Sequence, residues 1–419
     1  MAAQTDSGAD AAIKEDERSA PTRRLVSVDA LRGFDMFWIM GAGSLVGALG
    51  KMSDNAVGSF LATQLTHADW EGLRFYDLIF PLFLFIVGVS LVFSLSKEVG
   101  RDGRSAALKR LFQRSAALFL IGIFYSGGLK NEWPDIRLLG VLQRLALGYF
   151  FGGLLFLFLR EFRKLVWTGV GLLLLYWGLL TFVPIRNIQL EDRALETYSE
   201  RRIGTVSDWF VQETDMVTGK YDKGLNLSNH LDFQYLPGKK WDKYWDPEGL
   251  LSTIPAIATC ILGILAGLIL RDETGDDLSK VRRLLLWGAG SLAFGYLWGL
   301  QFPIIKKVWT SSFVLAAGGW SFLLLAAFHF VIEVKGHQRW CRPFVWVGMN
   351  SITIYVTNNL IGYPGFQKIA ERFVGGDVKN FFNGSAASGL GDLLVALVGL
   401  ALSVLFCWYL HRKRIFLRL

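Results

Sequence analysis

Long apolar runs recur through the chain from about residue 31 to about residue 409, each near the ~20 residues that cross a hydrocarbon layer. No other feature limits the fold so strongly. In lipid every backbone N–H and C=O must be bonded within the protein, which leaves only helices or closed barrels. A barrel alternates apolar and polar side chains at every second position, and these runs do not. Charged residues make up 19% of the 419, where a soluble domain carries about 25%. The expected fold class is therefore all-α: a polytopic membrane protein with about ten transmembrane helices around a central polar cavity.

The expected spans cover about 31–49, 76–95, 111–125, 138–159, 166–183, 250–270, 284–302, 309–332, 345–363 and 390–409. Residues 1–22 are polar, carry no secretory h-region and read as a disordered cytoplasmic tail. Residues 23–419 form one transmembrane domain whose longest polar stretch, about 184–249, is a large loop. Lys and Arg gather in every second connection: the amino-terminal tail, the turns after the second, fourth, sixth and eighth spans, and the carboxyl-terminal tail. The positive-inside rule then puts both termini in the cytoplasm, with the loop around His67 and the 184–249 loop on the far side. The net charge of +8 has this topological origin, so nucleic acid is not an expected partner. Cys260, Cys341 and Cys407 are too far apart for metal-ligand spacing or a disulfide framework, and no metal is expected.

Polar residues inside or beside apolar runs carry the functional argument, because each is expensive in lipid. The stretch from His67 to Pro81 places a histidine and several carboxylates, among them Asp69 and Asp77, at the mouth of the second span. Histidine is the side chain suited to proton or acyl relay near neutral pH. The competing reading is an interfacial loop whose polar groups meet headgroups and water. Gln143 and Arg144 lie inside the fourth span. An unpaired arginine there costs roughly 2.5–3.5 kcal/mol, so Arg144 requires a partner, and Asp77 is one candidate; a structural ion pair would account for it equally. Asn350 and Ser351, with Asn358 and Asn359 farther on, suggest a polar stripe along the ninth span, although helix–helix hydrogen bonds explain each singly. Asp29 and Arg32 share one helix face as a salt bridge or a basic mouth for an anionic ligand. His230 in the large loop is a weaker substrate-contact candidate; His329 reads as packing, and His337 and His411 as surface.

Several stretches in register resemble one family: Asp29-Ala-Leu-Arg32-Gly, His67-Ala-Asp-Trp-Glu-Gly with Asp77-Leu-Ile-Phe-Pro, and Arg137-Leu-Leu-Gly-Val-Leu-Gln143-Arg144. Asp246-Pro-Glu248-Gly-Leu-Leu-Ser-Thr, Trp309-Thr-Ser-Ser-Phe-Val and Gly348-Met-Asn350-Ser351 complete the set. The chain is similar to the heparan-alpha-glucosaminide N-acetyltransferase family of transmembrane acyltransferases, with bacterial members of the NagX type. That resemblance implies acetyl-CoA as co-substrate, bound from the cytosol, and an amino-sugar (glucosamine-type) or glycan acceptor on the periplasmic side of a bacterial inner membrane. It implies His67 as the active-site histidine, with Asp77 or Asp69 orienting it. Acetyl-CoA would bind at Arg32, Asp29, Asn350 and Ser351, with Arg32 and nearby turn residues holding its phosphates, and the acceptor at Arg144, Gln143, Arg137, Glu248 and Asp69. The family's His-Ala-Ser-Trp-Asn-Gly reads His-Ala-Asp-Trp-Glu-Gly here, and an asparagine the family carries late in its first helix falls on Gly43.

A neutral imidazole can deprotonate the acceptor ammonium or carry the acetyl group itself. Three functions remain open at the level of residues and resemblance: an amino-sugar acetyltransferase, a transporter for amino sugars or N-acetylglucosamine, and an acyltransferase for a cell-envelope glycan. The expected partners are acetyl-CoA, the acceptor, the lipid bilayer and a second copy in a homodimer.

Overall fold

A computed structural model describes residues 25–52, 56–200, 202–362, 365–385 and 388–417. The expected tail at residues 1–22 lies outside these. In chain order the elements are α1 (Val26–Met52), α2 (Ala56–Gln64), α3 (Ile79–Tyr125), α4 (Val141–Leu159), α5 (Phe162–Phe182), β1 (Ile185–Arg186), α6 (Asp192–Ser199), α7 (Val206–Gln212) and β2 (Met216–Val217). They continue with α8 (Leu227–Tyr235), α9 (Thr253–Arg271), α10 (Asp277–Gly299), α11 (Ser311–His329), α12 (Arg342–Met349), α13 (Ser351–Leu360), α14 (Phe366–Val374), α15 (Asp377–Ser385) and α16 (Leu390–Arg412). The fold is an all-α membrane bundle, as its apolar runs require.

Among the described residues, six helices are long and apolar enough to cross a membrane, or seven if the two arms of α1, bent by 62° between Gly41 and Gly43, make one span. The expectation of about ten exceeds that number, and the difference lies in identifiable places. The helix α3 counts once, yet it reverses direction at Gly103, whose φ of 81° is non-helical. Arg114 Nη2 lies 3.5 Å from Glu98 Oε1, whereas sixteen residues of straight helix would hold them about 24 Å apart. The ninth expected span is divided at Asn350 into α12 and α13, and α10 opens with the charged residues Asp277, Lys280, Arg282 and Arg283.

The core is centred on α9, whose side chains from Pro255 to Leu270 are mostly buried against α3, α4, α5 and α11. Its approach to α3 needs glycine on both sides. A Cβ at Gly263 would strike the Phe85 carbonyl oxygen, and one at Gly88 the Cys260 carbonyl oxygen. Lipid offers no hydrophobic drive to pair helices, so such backbone contact supplies dispersion energy instead. The same device joins α1 to α12, where Gly33 faces the Phe344 carbonyl and Gly348 faces the Asp29 carbonyl.

The 184–249 segment folds as a small cap. It holds a two-stranded antiparallel ladder, β1 with β2, and its own apolar cluster of Ile188, Leu190, Leu195, Trp209 and Phe210. The cap is tied to the His67 loop by Trp70, whose indole N–H donates to the Tyr221 carbonyl at 2.8 Å and whose ring meets Trp245 at 5.7 Å.

Candidate active site

Ten residues after His67, Asp77 sits in a short 3-10 turn, Phe75–Leu78, that leads into α3. Its carboxylate is fully buried, and its oxygens accept from three donors. His67 Nδ1 is 2.8 Å from Oδ1, and the backbone N–H groups of Ala68 and Arg74 donate to Oδ2 at 3.1 Å each. Fixed N–H donors hold the carboxylate in one orientation, so the imidazole it faces is oriented too. Tyr76 stacks on the imidazole at 4.6 Å, and the His67 side chain is 51% exposed.

A third member, Lys306, arrives from the loop before α11. The His67 loop and that loop pair as a short antiparallel bridge, Glu71 opposite Ile305, with Gly72 N–H donating to the Ile304 carbonyl at 2.8 Å. The next residue is therefore delivered to the imidazole: Lys306 Nζ lies 2.9 Å from His67 Nδ1 and 3.5 Å from Asp77 Oδ1. Its backbone is held by a turn in which Trp309 N–H donates to the Lys306 carbonyl and Trp309 takes the left-handed region at φ 55°. A bulky residue there is uncommon. Burial pushes the Lys306 ammonium below the usual lysine range, against the opposing pull of Asp77 and Glu248.

His67, Glu248, Lys306 and Tyr355 line two cavities at once. One, of about 190 Å³, runs among the helices and is otherwise mostly apolar, with Met36, Ile39, Phe80, Phe83 and Leu145 in its wall. The other, of about 310 Å³, opens under the cap and is lined by Arg137, Gln143, Trp241, Lys307 and Trp309. Tyr355 and Tyr125, both in its wall, stack at 4.7 Å.

Arg137 grips Asp246 with two bonds, Nε to Oδ2 at 2.8 Å and Nη2 to Oδ1 at 2.7 Å, and Glu248 with a third at 2.8 Å. The Trp241 ring lies 5.1 Å from its guanidinium. Burial and the adjacent Asp246 charge push the Glu248 carboxyl up. Arg137 thus anchors the cavity wall, and Glu248 is the acid that the anchor presents to both cavities.

Arg144 does not pair with Asp77. Its Nη2 donates to the Gly249 carbonyl at 3.3 Å and to Ser252 Oγ, and its guanidinium lies 5.0 Å from the Trp309 ring. Asp77 is already filled by the His67 loop, while the start of α9 offers Arg144 oxygen acceptors at its own depth. Asp69 is exposed, lines neither cavity and does not orient His67. Gln143 is buried in the wall of the polar cavity. His230 is spent inside the cap, with Nε2 3.0 Å from the Ile188 carbonyl oxygen and burial pushing its imidazole down to about 4.

At the other end of the first arm of α1, Arg32 binds Asp29 at 3.4 Å and Ser90 Oγ at 2.5 Å, and neither Arg32 nor Asp29 lines the cavities named here. Asn350 sits at the break between α12 and α13, where its Nδ2 donates to the Trp346 carbonyl at 3.4 Å, and Ser351 lines the apolar cavity. Gly43 stands at the bend of α1. A basic groove of about 810 Å³ lies beside Val26, with Arg342, His411, Arg412 and Arg414 in its wall. Ten residues of α1, about 15 Å of helix, separate Val26 from Met36 in the apolar cavity.

Lys306 is the residue sequence reasoning missed. The signals were its place three residues before Trp309-Thr-Ser-Ser and a lysine pair in the connection after the seventh expected span, on the far side where the positive-inside rule does not call for basic residues.

No family model matches the chain. It is 28% identical over 389 residues to the heparan-alpha-glucosaminide N-acetyltransferase of Mus musculus and 29% identical over 397 residues to that of Homo sapiens. Each alignment covers 84% of this chain, and 56% and 55% of the respective relative, so the chain spans little more than half the length of the proteins it matches. Over most of its length the chain is thus similar to the heparan-alpha-glucosaminide N-acetyltransferases of these two organisms.

Proposed function

We propose that the protein is a transmembrane N-acetyltransferase that takes an acetyl group from cytosolic acetyl-CoA and places it on the amine of an amino sugar at the opposite, periplasmic face of an inner membrane. The observation that carries this reading is that His67 lines both an apolar cavity within the bundle and a polar, aromatic cavity under the cap. The names of the relatives support the acetyl transfer and the glucosaminide acceptor.

The two cavities match two substrates of different character. A pantetheine arm is thin and suits a passage walled by Phe80, Phe83 and Leu145. The phosphates it trails need cations, which the groove at Arg342, Arg412 and Arg414 provides. With both termini cytoplasmic, that groove faces the cytosol. A sugar ring stacks on aromatic faces such as Trp241 and Tyr355, and Glu248 pairs with its ammonium.

The reaction follows from the imidazole. With Nδ1–H donated to Asp77, Nε2 holds a lone pair and takes a proton from the acceptor ammonium. The freed amine attacks the thioester carbonyl carbon, forming the C–N bond. The C–S bond then breaks, and the departing thiolate takes the proton held on Nε2. The second proton on the new amide nitrogen passes to water. An acetyl-imidazole route would use the same lone pair.

The test is acetyl transfer by purified protein in lipid, with radiolabelled acetyl-CoA and glucosamine-terminated acceptors. His67→Ala should lower transfer at least 100-fold; undiminished transfer would remove the catalytic role. Uptake of N-acetylglucosamine into vesicles without acetyl-CoA would replace this reading with transport.

A further inference from the structure

Both ring nitrogens of His67 lie close to a single ammonium: Lys306 Nζ is 2.9 Å from Nδ1 and 3.3 Å from Nε2. The same ammonium is 3.5 Å from Asp77 Oδ1, which is itself 2.8 Å from Nδ1. Few proton arrangements suit these distances. A bare Nδ1 would set its lone pair against a carboxylate oxygen. A doubly protonated ring would set a second full positive charge against the ammonium. The neutral ring with Nδ1–H donated to Asp77 avoids both; the ammonium then lies beside that N–H and faces the two acceptors within its reach, the unprotonated Nε2 at 3.3 Å and Asp77 Oδ1 at 3.5 Å.

We propose that Lys306 is a positioning residue whose ammonium offsets the charge of Asp77 and keeps the His67 imidazole neutral, so that Nε2 retains the lone pair needed for acetyl transfer. The purpose of this device rests on the function proposed above; the electrostatic effect does not.

A carboxylate hydrogen-bonded to a histidine favours the imidazolium. Acting alone, Asp77 would load His67 with a second proton near neutral pH and remove the lone pair. The ammonium turns a net −1 environment into a neutral one. The other charged groups near the ring act from farther off or through the backbone. Arg74 donates to the His67 carbonyl at 2.8 Å, and Glu248, Arg137 and Lys307 stand around the polar cavity. The titratable rings are Tyr76, which stacks on the imidazole, and Tyr125 and Tyr355 in the cavity wall. Among the described residues, Asp77 and Lys306 are the charged side chains that reach within hydrogen-bond distance of the imidazole nitrogens. The placement of Lys306 is built into the main chain, because the bridge between Glu71 and Ile305 fixes the preceding residue.

The test reads the histidine directly. The full chain, in lipid nanodiscs with ¹³C-labelled histidine, carries five such residues, and His67→Ala identifies the His67 signal by its loss. Lys306→Gln should raise the pH at which His67 gains its second proton by about one unit, a tenfold change in the ratio of protonated to neutral ring. The acid limb of kcat/KM should move up with it, and Lys306→Arg should restore both. The other four signals serve as the check on folding. A His67 titration unchanged in Lys306→Gln, or a Lys306→Arg variant that behaves like the glutamine, would overturn the proposal. Should Lys306→Gln not fold, Asp77→Asn gives the converse reading. There the unopposed ammonium should hold the His67 midpoint below the ordinary ~6.5, and a midpoint at or above it would overturn the proposal. A shifted titration in a protein that transfers no acetyl group would sink the proposed function and leave the electrostatic role of Lys306 standing.

Discussion

His67 Nδ1 and Asp77 Oδ1 lie 2.8 Å apart, and the second oxygen of the carboxylate is held by two backbone N–H groups. An aspartate held this way fixes the tautomer of the ring. Asp77→Asn would turn an amide NH₂ toward Nδ1, or else toward the two N–H donors, and either choice costs a hydrogen bond. Acetyl transfer in this variant should fall by about 10²–10⁴ in kcat/KM, as for other histidine–aspartate pairs that lose the acid. Steady-state kinetics check it, and a fall of less than threefold would show that the tautomer does not matter.

Arg137 should be a stability residue as well as a wall of the cavity. It holds the fully buried Asp246 in a two-pronged grip and Glu248 with a third bond. Arg137→Met leaves two neighbouring carboxylates unpaired and should destabilise the fold by about 3–5 kcal/mol. Arg137→Lys keeps a charge but loses the planar fork, so it should rescue only part of that. Denaturant unfolding in detergent measures both, and an unchanged midpoint for the methionine variant would refute the anchoring role.

Asp232 in the cap gives the protein a pH dependence with a defined sign. Burial pushes its carboxyl from 3.8 up to about 7, although the Leu250 N–H donates to it at 2.8 Å. Below pH 3.8 it is protonated in folded and unfolded chains alike and contributes nothing. Between that value and about 7 the unfolded chain ionises first, so the folded state binds more protons and loses stability as the pH rises. Asp232→Asn cannot ionise. Its stability relative to the parent should therefore grow across this window, by up to about 4 kcal/mol, and level off above it. Parallel unfolding curves at every pH would contradict this.

The contact between Gly33 and Gly348 should tolerate no side chain. A Cβ at Gly348 would meet the Asp29 carbonyl and the Gly33 nitrogen, all of them backbone. Gly348→Val should destabilise the protein by about 1–3 kcal/mol or more, since α1 and α12 must separate. Gly47→Ala, where nothing lies within 4 Å, is the control and should be neutral or stabilising. Equal thermal unfolding of the two variants would show that the close approach is not needed.

Much of the site was legible because it is local. His67 and Asp77 share one loop, and carboxylate spacing at a span mouth pointed to both. The helical class followed from runs that are long, apolar and non-alternating. Other assignments failed where a partner comes from far along the chain. Asp77 is one candidate partner for Arg144 in the sequence, but its acceptors are Gly249 and Ser252, more than a hundred residues on. Asp69 looked equivalent to Asp77 until the loop turned it outward. The two spans expected over 76–95 and 111–125 are the arms of α3 on either side of the reversal at Gly103, whereas the break at Asn350 divides what reads as one.

The order of the chain alone was enough to make this a helical membrane protein and to mark the loop around His67, because transfer energy and charge add up over twenty or so neighbouring residues. Only the tertiary structure brought Lys306 to the imidazole and placed that imidazole between two cavities. Those relations arise from contact between distant segments: the backbone bridge of Glu71 with Ile305, and the Arg144 side chain reaching from α4 to the Gly249 carbonyl ahead of α9. A one-dimensional hydropathy pattern contains no information about which of many polar residues will share a buried site.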